Sequence, residues 1–206
     1  MAGVWTRNYY NLLTALILGN MDDNTATTPS DYTPPIKIRG TNGTYYTAKT
    51  CEANNPSNYP KIIEILKNTQ AVLMTNENQD LFSYSSYCTF MFGNGSAALS
   101  YDDYKLGNAF SSNLTYSGTA QAQASAFDSD THEYSSAQQY TFTNGTSSNI
   151  TVTEMGIYIP YRNNNNDWRP ALVYRELFDS PIVLAPGESI IVTGIRNGEV
   201  FNYTPY

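Results

Sequence analysis

A chain of 206 residues is long enough to bury a core of useful size, as one domain with decorations or as two small ones. Its 18 acidic residues outnumber 11 basic ones, and the net charge of −7 argues against a sequence-independent grip on nucleic acid, which needs Lys and Arg to replace counterions along phosphates. Only 14% of the residues are charged while Tyr alone supplies 18, so the surface is polar, weakly charged and suited to packing against other protein.

At the N-terminus, Trp5, Tyr9, Leu12, Leu13, Leu16 and Ile17 recur at spacings of three and four. That period puts them on one face of a helix, with Gly19-Asn20 as its stop. The apolar run Leu12 to Leu18 follows Arg7 as in a signal peptide, but Asn8, Tyr9, Tyr10 and Asn11 interrupt the region and no small-x-small cleavage site follows. It is also far too short to span a bilayer, so the segment is read as part of the mature protein. The apolar face must be buried, either on the chain's own sheets or on a neighbouring subunit.

From Met21 to Pro35 the chain is rich in Asp, Asn, Thr and Pro and reads as an irregular arm. Ile36 to Arg39 and Tyr45 to Lys49 flank Gly40-Thr-Asn-Gly43 as a hairpin. Pro56 to Pro60 is a loop, and Lys61 to Lys67 fits neither helix nor strand period cleanly. Gln70 to Thr75 and Ser83 to Phe92 read as strands. Gly93-Asn-Gly95-Ser-Ala-Ala98 matches a dinucleotide-binding fingerprint in form. Its chemistry needs a helix whose N-terminal amides meet the pyrophosphate, and Leu99-Ser-Tyr-Asp-Asp103 has no helical period, so a turn is expected.

Between Tyr116 and Ala126, Ala120, Ala122, Ala124 and Ala126 alternate with polar residues, a period of two that belongs to a strand. Asp128-Ser-Asp130-Thr-His132-Glu133 is the only local cluster suggestive of a metal. It lacks the Gly and Glu positions of a calcium loop and the ligand number for zinc, and it reads as a polar turn. His132 is the only histidine, and no nucleophile elbow accompanies it, so no hydrolytic triad is indicated. Cys51 and Cys88 are far apart in the chain and read as two buried thiols or one disulfide.

Tyr140 to Arg196 carries the densest strand pattern. Asn144-Gly145 turns the chain into Ile150-Thr-Val-Thr153, after which the apolar phase shifts to Met155, Ile157 and Ile159. That shift implies a bulge near Glu154-Met155-Gly156, or a strand buried on both faces. Pro181 and Pro186-Gly187 bound Ile182 to Leu184, a short strand at an edge or corner. Asn197-Gly198 joins Ser189 to Arg196 with Glu199 to Tyr203, the strongest short hairpin signal in the chain.

Several motifs fall in a fixed order: Asp102-Asp103-Tyr104-x-Leu106, Tyr140-Thr-Phe-Thr-Asn144, Ile150-Thr-Val-Thr-Glu-Met-Gly-Ile157, Leu172-Val-Tyr-Arg175 and Pro181-Ile-Val-Leu-Ala-Pro-Gly-Glu-Ser189. In that order they resemble a family of virion proteins of tailed phages and prophages, over roughly Phe92 to Arg196. The chain departs from the family pattern in its longer link, Asn163 to Trp168, and in the extra strand after Asn197-Gly198. The resemblance implies a non-enzymatic tail, collar or head-fibre component located in the virion and assembled in the bacterial host cytoplasm. It implies partners among copies of itself and other virion proteins, with no cofactor, metal, nucleic acid or membrane.

The expected architecture is all-β, a β-sandwich of jelly-roll or immunoglobulin-like type over residues 36 to 206, preceded by a helix and arm over residues 1 to 35. Trp5, Tyr9, Leu12, Leu13 and Leu16 are the expected assembly interface. The alternative function is a receptor- or carbohydrate-binding module, in which Trp168 stacks on a sugar from the Asn-rich loop.

Overall fold

The computed structural model describes residues 2–21, 37–47, 71–74, 88–121, 126–128, 133–135, 137–163, 167–195 and 201–205. Two sheets form an all-β sandwich. The first has the order β1 (Ala2–Trp5), β11 (Trp168–Leu184), β10 (Ile150–Arg162), β5 (Cys88–Gly93) and β4 (Ala71–Leu73). The second runs β13 (Phe201–Pro205), β12 (Ser189–Ile195), β9 (Ala137–Asn144) and β6 (Leu114–Gln121). All described pairs in the two sheets are antiparallel except β4 with β5.

Aromatic rings alternating along β5 and β9 lock the sheets together. Phe90 lies 5.2 Å from Tyr140 and 5.4 Å from Phe142, and Phe92 lies 4.9 Å from Phe142, in the tilted and edge-on geometries that ring quadrupoles favour. Val152, Ile157, Ile190 and Val192 complete this inner core. A second cluster, Met74, Met91, Leu106, Tyr158 and Leu172, covers the opposite face of the first sheet. Strand β10 is therefore buried on both sides.

Both readings of the phase shift in β10 hold. The ladder with β11 shifts register between Val152 and Glu154 and again between Ile157 and Tyr158, and the residues from Glu154 to Tyr161 are all buried. On β11 the first shift absorbs the stretch between Leu177 and Ile182. The expected break at Pro181 is corrected accordingly: Pro181, which has no N–H to offer a ladder, sits in the bulge and the strand runs on to Leu184.

The N-terminus differs from its expectation in one respect. Trp5 is the last residue of strand β1, paired with Tyr174, and the helix α1 (Arg7–Met21) begins after it and runs on through Gly19-Asn20. Thr6 makes the corner, its hydroxyl donating to Leu172 O at 2.7 Å and its N–H to Val173 O at 2.9 Å. A ladder partner outcompetes helix propensity for residues 2 to 5, because β1 satisfies the backbone of an otherwise open edge of β11.

Strands β2 (Lys37–Arg39) and β3 (Tyr45–Thr47) form the expected hairpin, with Gly43 at φ 82° in its turn. The helix reads the free edge of β2 through two amides. Asn8 donates to Arg39 O and accepts from Arg39 N–H, both at 2.9 Å, and Asn11 donates to Lys37 O at 2.8 Å. The pairing of β12 with β13 agrees with the strand expectation there, whereas Asp128 and Glu133, expected in a polar turn, pair with each other at the ends of a small sheet of β7 (Ala126–Asp128) and β8 (Glu133–Ser135). The arm, Pro56 to Lys67, Cys51, His132 and the side chains of Cys88 and the alanine stripe lie outside the described residues.

Candidate functional site

Residues 94 to 113 form a long connection across the outer face of the first sheet, where Gly93-Asn-Gly95-Ser-Ala-Ala98 opens it without a helix, as expected. Its anchor is Glu154, fully buried at the bulge of β10. Glu154 Oε1 accepts N–H bonds from Gly95 at 3.0 Å and Asn108 at 2.8 Å, and Oε2 accepts one from Gly107 at 3.0 Å. Three backbone donors are thus satisfied by one carboxylate.

The compensating charge comes from Arg175 on β11, 1% exposed, opposite Gly156. Its Nε and Nη2 donate to Glu154 Oε2 at 3.0 and 2.8 Å, Nη1 to Asp103 Oδ2 at 2.9 Å, and Nη2 to Ala97 O at 3.0 Å. Burial alone would weaken the guanidinium's hold on its proton, but the bonds to Asp103 and Glu154 outweigh it and raise the pKa above its ordinary value. Such forked, charge-assisted geometry is what lets a buried ion pair persist.

Glycines make the approach possible. A Cβ on Gly95 would fall 2.3 Å from Glu154 Oε1, one on Gly93 2.4 Å from Asn108 O, and one on Gly156 2.8 Å from Leu172 Cδ1 and 2.9 Å from Leu106 Cδ2. The glycine pattern that mimics a nucleotide loop is explained by a carboxylate lying against backbone.

What this clamp presents is a surface. Tyr101 and Asp102, at the crest of the connection, meet the helix: Arg7 Nε binds Asp102 Oδ1, Arg7 lies 4.8 Å from the Tyr101 ring centroid, and Arg7 N–H donates to Tyr101 O at 2.7 Å. Tyr10 approaches Tyr101 at 5.8 Å. On the hairpin, Arg39 stacks 3.9 Å from Tyr104 and 5.6 Å from Tyr45. Helix, hairpin and connection thus share one face of tyrosine and arginine.

The expected interface residues are placed differently. Leu12 is 0% exposed in the inner core, which removes it from any docking surface, and Trp5, Tyr9 and Leu13 pack partly buried against the same core. Trp5 stacks between Tyr9 at 4.4 Å and Tyr174 at 5.0 Å. The side chain of Leu16 lies outside the described residues. Trp168 is half-buried at the start of β11 opposite Arg162, beside a turn closed by Asn163 and Asp167, instead of being displayed by the loop. Sequence reading passed over Arg7, Tyr10, Arg39, Tyr45 and Tyr101. The findable signal lay elsewhere: Glu154 interrupts the apolar run of β10, and Arg175 with Glu176 that of β11, and buried charges of that kind are tolerable only when partnered.

Glu176, the next residue on β11, faces the other side of the sheet. It is buried, pairs with Gly3 and Met155 and accepts from Tyr174 Oη at 3.0 Å. Burial pushes its carboxyl above the ordinary range, against the opposing effect of the Tyr174 hydroxyl. A raised folded-state value means that the group favours folding below its unfolded value and loses that contribution as pH rises through the folded one. Glu176→Gln is therefore expected to leave stability unchanged in acid and to raise it towards neutrality. The readout is a Tm difference from the parent chain that opens between about pH 4 and about pH 7. A difference that stays constant across that interval would contradict the assignment.

Among the described residues no group of His, Cys, Asp and Glu is arranged to hold a metal ion, and no helix is long and apolar enough to cross a membrane. Comparison with models of protein families, with curated proteins and with solved structures finds no match for this chain.

Proposed function

We propose that this chain is a non-enzymatic structural protein of a tailed-phage particle, a tail, collar or head-associated component that assembles with copies of itself and docks to other virion proteins. The observation that carries this reading is where the virion-like motifs meet. Asp103 and Leu106 from the first motif, Glu154 and Gly156 from the third, and Leu172 and Arg175 from the fourth converge on the buried clamp and the cluster beside it. Residues far apart in sequence thus serve one structural purpose. Every charged group of the clamp is engaged in holding backbone, which supports a scaffold that displays surfaces over a site that turns over substrate.

The test is localisation. Antibodies raised against the purified chain should label density-purified particles from the strain that carries the gene, at one recurring position in electron micrographs. The chain present in lysed cells but absent from those particles would overturn the proposal.

A second reading, a receptor- or carbohydrate-binding module, is favoured by the exposed rings of Tyr10, Tyr45 and Tyr101 more than by Trp168. Glycan binding that disappears in Tyr101→Ala would select it.

A further inference from the structure

An asparagine followed by glycine is open to loss of its side-chain amide, because the glycine nitrogen, unhindered by a Cβ, can reach the side-chain carbonyl carbon next to it. Among the described residues lie Asn42-Gly43, Asn94-Gly95 and Asn144-Gly145, and the fold treats each differently. At Asn94 the side chain is exposed but the nucleophile is withheld. The N–H of Gly95 is buried and donates to Glu154 Oε1 at 3.0 Å. Ionising that nitrogen beside a carboxylate would set two negative charges together, which the clamp opposes.

Asn42 and Asn144 make the closer comparison, since each opens the same tripeptide, Asn-Gly-Thr. Each folds its side-chain oxygen back onto the N–H of the threonine, Thr44 at 3.0 Å and Thr146 at 2.9 Å. That turn brings the amide carbon towards the Asn-Gly peptide and polarises its carbonyl in both places. Around Asn144 the site is closed. The residue is 1% exposed, its oxygen also accepts from Thr146 Oγ1 at 2.7 Å, and its amino group donates to Ser148 O and Leu184 O, both at 2.9 Å. Asn42 is exposed, and its amino group donates to one hydroxyl, Tyr46 Oη at 2.8 Å. The bond from Gly43 N–H to Gly40 O, also 2.8 Å, belongs to the turn of a two-stranded hairpin, which opens without disturbing the sandwich.

We infer that Asn42 is a site of self-modification, at which the hairpin turn converts its own asparagine to aspartate and isoaspartate. The Gly43 nitrogen gives its proton to solvent base and bonds to Asn42 Cγ. The Cγ–Nδ2 bond then breaks, and the amino group leaves as ammonia with a proton from water. Water adds to the resulting cyclic imide and opens it at either carbonyl, giving aspartate from one and isoaspartate from the other. Both products place a negative charge in the turn that Arg39 spans, with its Nε 3.5 Å from Gly43 O and its guanidinium stacked on Tyr45 and Tyr104. Isoaspartate also routes the backbone between β2 and β3 through an extra methylene, which disturbs the pairing of Arg39 with Tyr45. The turn thereby alters the charge and shape of the tyrosine and arginine face without a second protein.

The experiment is peptide mapping by mass spectrometry of the full chain after incubation in warm, mildly alkaline buffer made with oxygen-18 water. Near-UV circular dichroism verifies that the chain stays folded, and a second sample is incubated in urea. In the folded chain Asn42 is expected to take up oxygen-18 and yield the two acids more than about tenfold faster than Asn94 or Asn144, while in urea the three rates converge to within about threefold. An Asn42 that keeps its amide in the folded chain while urea converts it would overturn the site. Equal rates at the three positions in the folded chain would show that neither the clamp nor burial protects, and would overturn the selection of Asn42. A preference for Asn42 that persists unchanged in urea would place its origin in the neighbouring residues and overturn the role given to the fold.

Discussion

Glu154→Ala is expected to cost about 3–5 kcal/mol of folding stability, the magnitude found when one partner of a buried ion pair is removed. The carboxylate is unexposed and does two jobs at once. Without it, Arg175 keeps Asp103 but loses the oxygen that two of its nitrogens share, and the amides of Gly95, Gly107 and Asn108 lose their acceptor. A whole domain is held by only about 5–15 kcal/mol, so the loss is a large fraction of the total. Urea unfolding measures it, and amide exchange at Gly95, Gly107 and Asn108 reports whether the connection has come loose locally. Glu154→Gln should fall between parent and alanine variant, because its one carbonyl oxygen still accepts while its NH2 confronts N–H donors. A cost below about 1 kcal/mol for Glu154→Ala, with exchange unchanged, would mean that the connection is held by something else.

Deleting residues 2–21 should unfold the chain instead of releasing a soluble monomer. The deletion strips β1 from β11 and removes Leu12 from the core, together with the Thr6, Asn8 and Asn11 bonds that tie helix to sheet and hairpin. Leu12→Ala alone is expected to cost about 2–5 kcal/mol, the sum of lost transfer energy and the cavity left behind. Near-UV circular dichroism and a cooperative unfolding transition are the measurements. A truncated chain that keeps both, with a midpoint near that of the full chain, would show that the N-terminal segment is an appendage and would restore Trp5, Tyr9 and Leu13 as candidates for a docking face.

These two expectations mark where reading residues in order stops being enough. Period-two patterning located β5, β9, β10 and β12, and turn chemistry placed the β2–β3 hairpin and the return into β13, because strand faces and turn dihedrals depend on neighbours a few positions away. The helical period of Tyr9, Leu12 and Leu13 was equally local, and α1 exists. Its occupant was not local. Whether that face meets the chain's own sheet or another subunit depends on β11, more than 150 residues away, so Leu12 could be recognised as buried in something but not in what.

The same limit explains Trp5, Pro181 and the glycines. Trp5 fits a helix by spacing and a strand by partnership, and the partnership wins because an open sheet edge has backbone groups to satisfy. Pro181 signals an interruption, correctly, but only the register of β10 shows that the interruption is a bulge inside one strand. Gly93 and Gly95 announce close approach to something, and the sequence offers a phosphate as readily as a carboxylate. Strands, turns, the amphipathic face and the acidity of the chain were written in short-range pattern. The clamp of Asp103, Glu154 and Arg175 and the face of Tyr10, Tyr45 and Tyr101 were decided by folding alone, because a buried charge and a surface patch are each defined by which distant segments come to lie side by side.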